Sequence, residues 1–376
     1  YYAARSSHLV LTRLDIHNVR NIGQARLRGL GIVNVVSGPN GSGKTSVLEA
    51  IHILGMARSF RSASVKSVIQ HDRQELVVFG EVTSEANGSV HPVGVKRGRS
   101  GEADIRVAGE RVHTAAELVQ QLPLQVINAN SFELLTGAPK SRRQFLDWGV
   151  FHVEHQFLPA WQRFQRSLKQ RNNLLRRDKI GESELSVWTR ELIEAGDSIN
   201  RYRSAFFEAV VPRFEAVLAA LAPELDAVTL GFRQGWDKRL PYSEALANSY
   251  TADCDQGFTH VGPQRADIRV LADGYPAADT LSRGQQKLVI CALKLAQGQL
   301  LADRGVGRGI YLVDDLPAEL DEAHCRLVCQ CLDQLGAQVF ITCVDEREIV
   351  DVWPSPGPQP RMFHVEHGAV QPAQAL

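Results

Sequence analysis

Gly38-Pro39-Asn40-Gly41-Ser42-Gly43-Lys44-Thr45 fills every position of the spacing in which a glycine-rich turn wraps a phosphate and hands the chain to a helix. Ahead of it, Ile32-Val33-Asn34-Val35-Val36 is short, β-branched and apolar, the pattern of a buried strand. Behind it, the run from Ser46 to Leu54 carries its apolar groups at helical spacing. Strand, loop and helix therefore follow in the order that phosphate binding needs. The glycines let backbone N–H groups turn inward, and the helix N-terminus adds a positive dipole end. Lys44 can reach the β and γ oxygens, and Thr45 can ligate Mg²⁺. The bland alternative is a glycine-rich turn with no ligand, and a strand and a helix both in place weigh against it. The stretch predicts a nucleotide site.

Two motifs near the other end of the chain narrow that site. Leu281-Ser282-Arg283-Gly284-Gln285-Gln286 precedes the apolar helical run from Leu288 to Leu293, and Ile310-Tyr311-Leu312-Val313 runs into Asp314 and Asp315. Ala318-Glu319-Leu320-Asp321 follows as a D-loop. Taken singly, each string is a common turn or strand end, but the order of the three resembles that of an ABC-type ATPase. In that reading Asp314 sits beside the Mg²⁺ of bound ATP, and Asp315 orients or deprotonates the attacking water. The catalytic set is thus Lys44, Asp314 and Asp315. The resemblance also implies that Ser282, Gly284 and Gln285 contact the nucleotide of a second head, so that ATP closes a homodimer. Hydroxyl and backbone donors at a helix N-terminus suit that role.

The chain between Lys44 and Ser282 is longer than a compact transporter head needs and far shorter than an SMC arm. Phe157 to Arg177 and Val187 to Leu221 read as helices, but neither sustains a heptad pattern over many repeats. A short helical lid is expected. Several further stretches resemble the RecF family of bacterial recombination mediators. They are Leu11 to Leu14 and Val19 to Ile22 before the P-loop, Gly41 to Ile51 within it, Gly137 to Gly149 in the middle, Val261 to Asp267 before the signature, and Met362 to Gly368. The resemblance runs from about Leu9 to about Gly368. It implies duplex DNA near single-strand gaps, or single-stranded DNA, as ligand, RecR and RecO as partners, and loading of RecA as outcome. Departures from the family pattern are Gln264 where His is usual and Ala129 near a usual Pro. Thr342 and Cys343 stand where transporter ATPases place a switch His. With Asp315 in place of the usual Glu, slow hydrolysis is expected, suiting a timer better than a motor.

At 376 residues and 44% apolar content the chain can fill more than one core. No apolar run approaches the roughly 18 residues of a membrane helix, and no signal-peptide core is visible at the start, so a cytoplasmic location is expected. Tyr1 to His8 falls outside the resemblance. The six cysteines lack zinc-site spacing and are expected to be buried thiols. Phe-His-Val-Glu-His occurs at Phe151 to His155 and at Phe363 to His367, with no acid or Cys partner to make a metal site. Net charge is +0, yet the middle of the chain gathers Lys140, Arg142, Arg143, Arg163, Arg166, Lys169, Arg171, Arg176, Arg177 and Lys179. Arg58, Arg61, Lys66 and Arg73, with Lys96, Arg97 and Arg99, make a second basic set. A solvated helix face is the ordinary fate of such runs. The functional reading gives Arg142, Arg143, Arg166 and Lys169 phosphate contacts without base readout.

The expected fold is an α/β ABC-type ATPase head, a P-loop NTPase assembled from both chain ends around a mostly helical insert. The head takes 9–125 and 258–368, and the insert 126–257. An ABC-type subunit of a transport or translation assembly would share the nucleotide site, but should lack the Gly137 to Gly149 motif and the basic insert.

Overall fold

The computed structural model describes residues 9–112, 114–177 and 181–373, so Tyr1 to His8 and Lys179 lie outside it. The chain opens with β1 (Leu9–Val19) and β2 (Ile22–Arg28), then β3 (Val33–Ser37) and α1 (Lys44–Met56) on either side of the P-loop. β4 (Glu75–Ser84), β5 (Val90–Gly98), β6 (Ala103–Val107) and β7 (Glu110–Arg111) follow, then α2 (Ala115–Gln121) and β8 (Leu124–Ile127). The middle of the chain is α3 (Glu133–Thr136), α4 (Pro139–Val153), α5 (Phe157–Leu175), α6 (Glu182–Leu221), β9 (Val228–Arg233), α7 (Tyr242–Asn248) and α8 (Tyr250–Gln256). Next come β10 (Asp267–Ala272), β11 (Tyr275–Pro276), α9 (Ala277–Thr280), α10 (Arg283–Asp303) and β12 (Ile310–Val313). α11 (Leu316–Glu319), α12 (Glu322–Leu335), β13 (Gln338–Cys343), α13 (Arg347–Val350), β14 (Arg361–Glu366) and β15 (Ala369–Pro372) complete it.

These elements form two compact units, one from residues up to Ser131 together with those from Lys287 onward, the other Phe132–Gln286. The first holds a sheet ordered β15-β14-β3-β13-β12-β8 and a second ordered β2-β1-β4-β5-β6-β7. In the first sheet β14, β3, β13, β12 and β8 are parallel, and β3 and β13 are buried at every residue. That is why both strands set apolar residues side by side, Val35-Val36 and Val339-Phe340-Ile341, rather than alternating them with exposed ones. β4 belongs to the antiparallel sheet and alternates buried and half-buried residues along its length. α1 is buried on all sides except at Thr45, its apolar residues sharing one core with β1, β4, β5, β12, β13 and β14. A helix enclosed in that way is held by packing more than by propensity. Gln338 ties the sheets together: its amide donates to the carbonyls of Leu11 and Gly31 at 2.8 Å, and its oxygen accepts from the Leu11 N–H.

The second unit has the expected mostly helical character and adds a three-stranded sheet of β9, β10 and β11. β9 pairs with β10 from Asp267 opposite Arg233 to Ala272 opposite Val228. This pairing draws residues after 257 into the same unit as the helices, so the compact units divide after Ser131 and before Lys287 rather than at 125 and 257. The expected helices lie at α5 and α6, and α6 continues through Pro212. Buried ion pairs staple the unit. Arg171 meets Asp253 at 2.8 Å with both side chains sealed from solvent, and Arg203 meets Asp147 at 2.7 Å.

Candidate nucleotide-binding site

Gly38, Gly41 and Gly43 take φ values of 147°, 79° and 121°, a region only glycine enters freely. Close approach is demanded at two of them. A Cβ on Gly38 would run into the Val365 carbonyl oxygen, and one on Gly43 would meet the Asn21 side chain at 3.0 Å. Asn21, in the turn between β1 and β2, donates to the Ser42 carbonyl at 2.8 Å and accepts from the Ser46 hydroxyl at 3.0 Å. Gly368, just after β14, donates its N–H to the same carbonyl at 2.9 Å. The loop is therefore held open from outside by elements from both chain ends. Neither Asn21 nor Gly368 was assigned a role from sequence, because their contacts to the loop are tertiary.

Lys44 is buried and donates to the carbonyls of Gly38 at 2.7 Å and Pro39 at 3.1 Å, loop groups it can exchange for phosphate oxygens. The buried Ser42 hydroxyl has no partner among the described residues. Thr45 donates its hydroxyl to Asp314 at 3.0 Å. Asp314, at the end of β12, is held by its N–H on the Ile127 carbonyl and by the Thr342 hydroxyl, which donates to it at 2.8 Å. The Thr342 oxygen in turn accepts the Asp315 N–H at 2.8 Å. Thus Thr342, at the position where a switch His was missed, ties the two acidic residues together. Asp315 adopts φ 55°. Burial pushes its carboxyl above the ordinary range, with Asp314 adding to the rise and Lys44 opposing it. A hydroxyl and a carboxylate as hard oxygen donors, a lysine parked on exchangeable carbonyls and an unpartnered buried hydroxyl fit a Mg²⁺–triphosphate group. Glu319 of the D-loop is ion-paired to the buried Lys287.

Ser282, Gly284 and Gln285 lie in the second unit at the start of α10. The Ser282 hydroxyl oxygen accepts the Gln285 N–H at 3.3 Å and the Gln285 side chain accepts the Ser282 N–H at 2.9 Å, a reciprocal cap that leaves the serine O–H free to donate. A Cβ on Gly284 would meet nothing within 4 Å.

The basic residues separate into matched and unmatched sets. Arg142, expected on DNA, is instead bound to Asp267 at 2.7 Å and to the Gly137 carbonyl at 2.8 Å, because α4 packs against β10. Arg163 pairs with Glu191 and Glu194, Arg177 with Glu184, and Arg171 is internal. Arg143 donates to the Ala266 carbonyl at 2.8 Å and has no ion pair among the described residues. Arg166 and Lys169 are exposed on α5, Arg166 lying over the Trp188 ring at 5.6 Å. In the first unit Arg61, Lys96, Arg97 and Arg99 have internal partners, whereas Arg58, Lys66 and Arg73 are exposed. All six cysteines are free, four of them buried, and among the described residues no three His, Cys, Asp or Glu side chains converge as a metal site. No described helix is long and apolar enough to cross a membrane.

A parallel sheet that delivers a P-loop at one strand and an acidic pair at another, in a chain whose signature motif opens a later helix, defines an ATPase head of the ABC and SMC class. The family described as RecF/RecN/SMC N terminal domain matches residues 10–355. The DNA replication and repair protein RecF of Pseudomonas aeruginosa (strain LESB58) is 52% identical over 360 residues, covering 96% of this chain and 97% of that one. That of Azotobacter vinelandii is 51% identical, covering 96% and 98%. The chain belongs to the RecF family of DNA replication and repair proteins. Among solved structures, the recombination mediator protein RecF-ATP in the RecFOR pathway superposes with a TM-score of 0.83 at 24% identity, covering 100% of both chains. A Pyrococcus furiosus Smc head with an extended coiled coil reaches a TM-score of 0.60 at 14% identity, covering 97% of this chain and 96% of that one. At those identities both likenesses are of fold.

Proposed function

We propose that the chain is an ATP-driven DNA clamp of recombinational repair, and that the hydrogen-bonded line Thr45–Asp314–Thr342–Asp315 is its switch. That line is the observation that carries the reading, since it joins the P-loop to both acidic residues. Bound ATP and Mg²⁺ supply the γ-phosphoryl group and the charge to be neutralised. Lys44 leaves the Gly38 and Pro39 carbonyls for the β and γ oxygens. Gly38, Pro39, Asn40, Gly41, Ser42 and Gly43 present the loop, and Thr45 and Asp314 hold the ion. Asp315 orients the attacking water and takes its proton, a task for which a raised carboxyl is suited. Ser282, Gly284 and Gln285 engage the nucleotide of a second copy, so the γ-phosphate favours the closed homodimer and its loss favours opening.

Arg166 and Lys169, with Arg58, Lys66 and Arg73, contact duplex phosphates near single-strand gaps, Arg143 is a further phosphate contact, and Arg142 serves the scaffold. Hydrolysis is slow and DNA-dependent, and timed release rather than work is its product. The relatives' names and the RecFOR pathway of the structural neighbour support DNA repair as the setting and RecR and RecO as partners, and loading of RecA is the outcome we propose for them. They favour this reading over a transport or translation subunit. Sedimentation with and without ATP and a gapped duplex tests it. Dimer formation requiring ATP and strengthened by the gapped duplex is expected; a monomer under all four conditions would falsify the clamp.

A further inference from the structure

A cavity of about 280 Å³ opens in the second unit, and nothing described above uses it. Its lining is split by chemistry. Trp161, Phe164 and Ile199 contribute apolar surface, Lys140 and Arg143 contribute cations, and Gln165 contributes an amide. Arg203 and Asp147 also line it, but they neutralise each other at 2.7 Å. Lys140 and Arg143 have no carboxylate within ion-pair distance among the described residues. Burial, and next the nearby Arg203, push the Arg143 guanidinium below its ordinary value, with Asp267 and Asp147 opposing the fall, so an anion here would act in the same sense as those carboxylates. Trp161 is 38% exposed, unusual for so large an aromatic ring in a wall of this kind. Trp161, Gln165 and Lys169 follow at i, i+4 and i+8 on α5, all exposed, which makes one stripe leading away from the cavity.

We propose that this cavity takes one unpaired nucleotide of a single-stranded segment, its base against Trp161 and its phosphate on Lys140 and Arg143. The exposed indole decides between ligand classes. An acidic peptide would satisfy the cations but offers no broad π-face. A base inside a duplex has both faces covered by its neighbours, so only an unstacked base can lie on an aromatic ring. Every base has such a face, so the site distinguishes unpaired from paired rather than one base from another. Lys169, exposed further along α5, then marks where the strand leaving the cavity meets the duplex. The inference rests on the DNA-clamp reading and deepens it: helix-face cations hold duplex, and the cavity finds the edge of a gap.

The test uses the full chain with ATP and a duplex carrying 2-aminopurine at the first unpaired position of a gap, against the same sequence fully paired. Wild type should quench the probe and prefer the gapped form. Trp161→Ala should lose the quench and about tenfold of that preference, with duplex affinity, its salt slope and ATP binding unchanged; Trp161→Phe should restore part of it. Lys140→Ala should lower the salt slope for gapped DNA alone by about one. A thermal melt of each variant guards against misfolding. Retention of quench and preference in a folded Trp161→Ala overturns the proposal. So does free dAMP binding as tightly as the gapped strand, or an aspartate-rich peptide whose binding depends on Trp161 when that of gapped DNA does not. Wild type that binds duplex but neither quenches nor prefers the gap sinks the cavity alone. Wild type that binds neither DNA sinks the clamp and this proposal with it.

Discussion

At Asp315 the backbone stands at φ 55°, where aspartate is tolerated better than most side chains, and burial keeps its carboxyl above the ordinary range. A raised value means that the folded state holds the proton more firmly than the unfolded one. Stability is therefore lost as pH rises through the folded value. Asp315→Asn removes that ionisation while keeping the shape, so its thermal midpoint at neutral pH should equal or exceed wild type. ATP hydrolysis should fall by about 10²-fold or more. A lower midpoint would mean that the carboxylate is stabilising and the burial argument wrong. Asp314→Asn should behave differently, weakening ATP-dependent closure, because Asp314 is the acceptor for both Thr45 and Thr342. Thr342→Val keeps the volume but deletes one donor to Asp314 and one acceptor for the Asp315 N–H. Denaturant melts should show a loss of about 1–3 kcal/mol together with slowed turnover. Intact stability and turnover would strip Thr342 of its place. The two acids were legible in the sequence because strand and motif are contiguous. Thr342 was not, since transporter ATPases carry an imidazole there and a hydroxyl at the end of an apolar strand has no signal of its own.

Elements show where local pattern suffices and where it fails. β3, the P-loop and α1 were readable because one stretch contains the strand, the turn and the helix, each with its own period. The sheet of β9, β10 and β11 was not, because the register from Asp267 opposite Arg233 joins segments separated by α7 and α8. Phe-His-Val-Glu-His makes the same point within one chain. At Phe151 it ends α4, where the His152 ring packs edge-on against Trp148 at 4.5 Å. At Phe363 it is strand, with Phe363 opposite Val36 of β3. Five residues are too few for a period to decide, so the neighbours decide. The same holds for charge. Arg142→Ala would leave Asp267 half-buried without its partner, and should cost about 2–4 kcal/mol in a thermal or urea melt with the salt slope of DNA binding unchanged. Lys169→Ala should do the reverse, leaving the melt alone and lowering the slope by about one. An exchange of these two outcomes would return Arg142 to the DNA surface.

Across the whole molecule, each unit contains a histidine held neutral by burial. His52 in the first and His152 in the second both titrate near pH 4 rather than at the ordinary 6.5. His52 donates its Nδ1–H to the Arg58 carbonyl at 2.6 Å, while His152 Nε2 has no partner among the described residues. A depressed value means that the unfolded chain takes the proton first. Stability is full above about pH 6.5 and drains away toward pH 4, by about 1–3 kcal/mol for each ring. Thermal midpoints measured from pH 7 to 4.5 should fall across that window, and His152→Phe should flatten part of the fall. An equally steep curve in the variant would acquit His152. Assembly is the other property at this scale. Lys44→Ala should abolish ATP-dependent dimerisation by losing nucleotide. Ser282→Arg should bind ATP as a monomer and still fail to dimerise, since the signature acts on a partner's nucleotide. ATP-dependent dimers of Ser282→Arg at wild-type concentration would end the trans-contact model. The two-ended assembly of the first unit was legible from motif order alone. The placing of the signature segment in the second unit was not, because a motif's position in the chain carries no information about which sheet the residues before it will join.

β3 lies between β13 and β14, and both neighbours are encoded roughly 300 residues after it, as Val33 opposite Val339 records. On a ribosome adding about 5–20 residues each second, the strand that carries the P-loop waits some 15–60 s with both edges bare. Apolar strands with open edges are what aggregation feeds on. Newborn copies of this chain should therefore lean on chaperones for most of the time they take to make, and gain nucleotide binding only when β13 and β14 arrive.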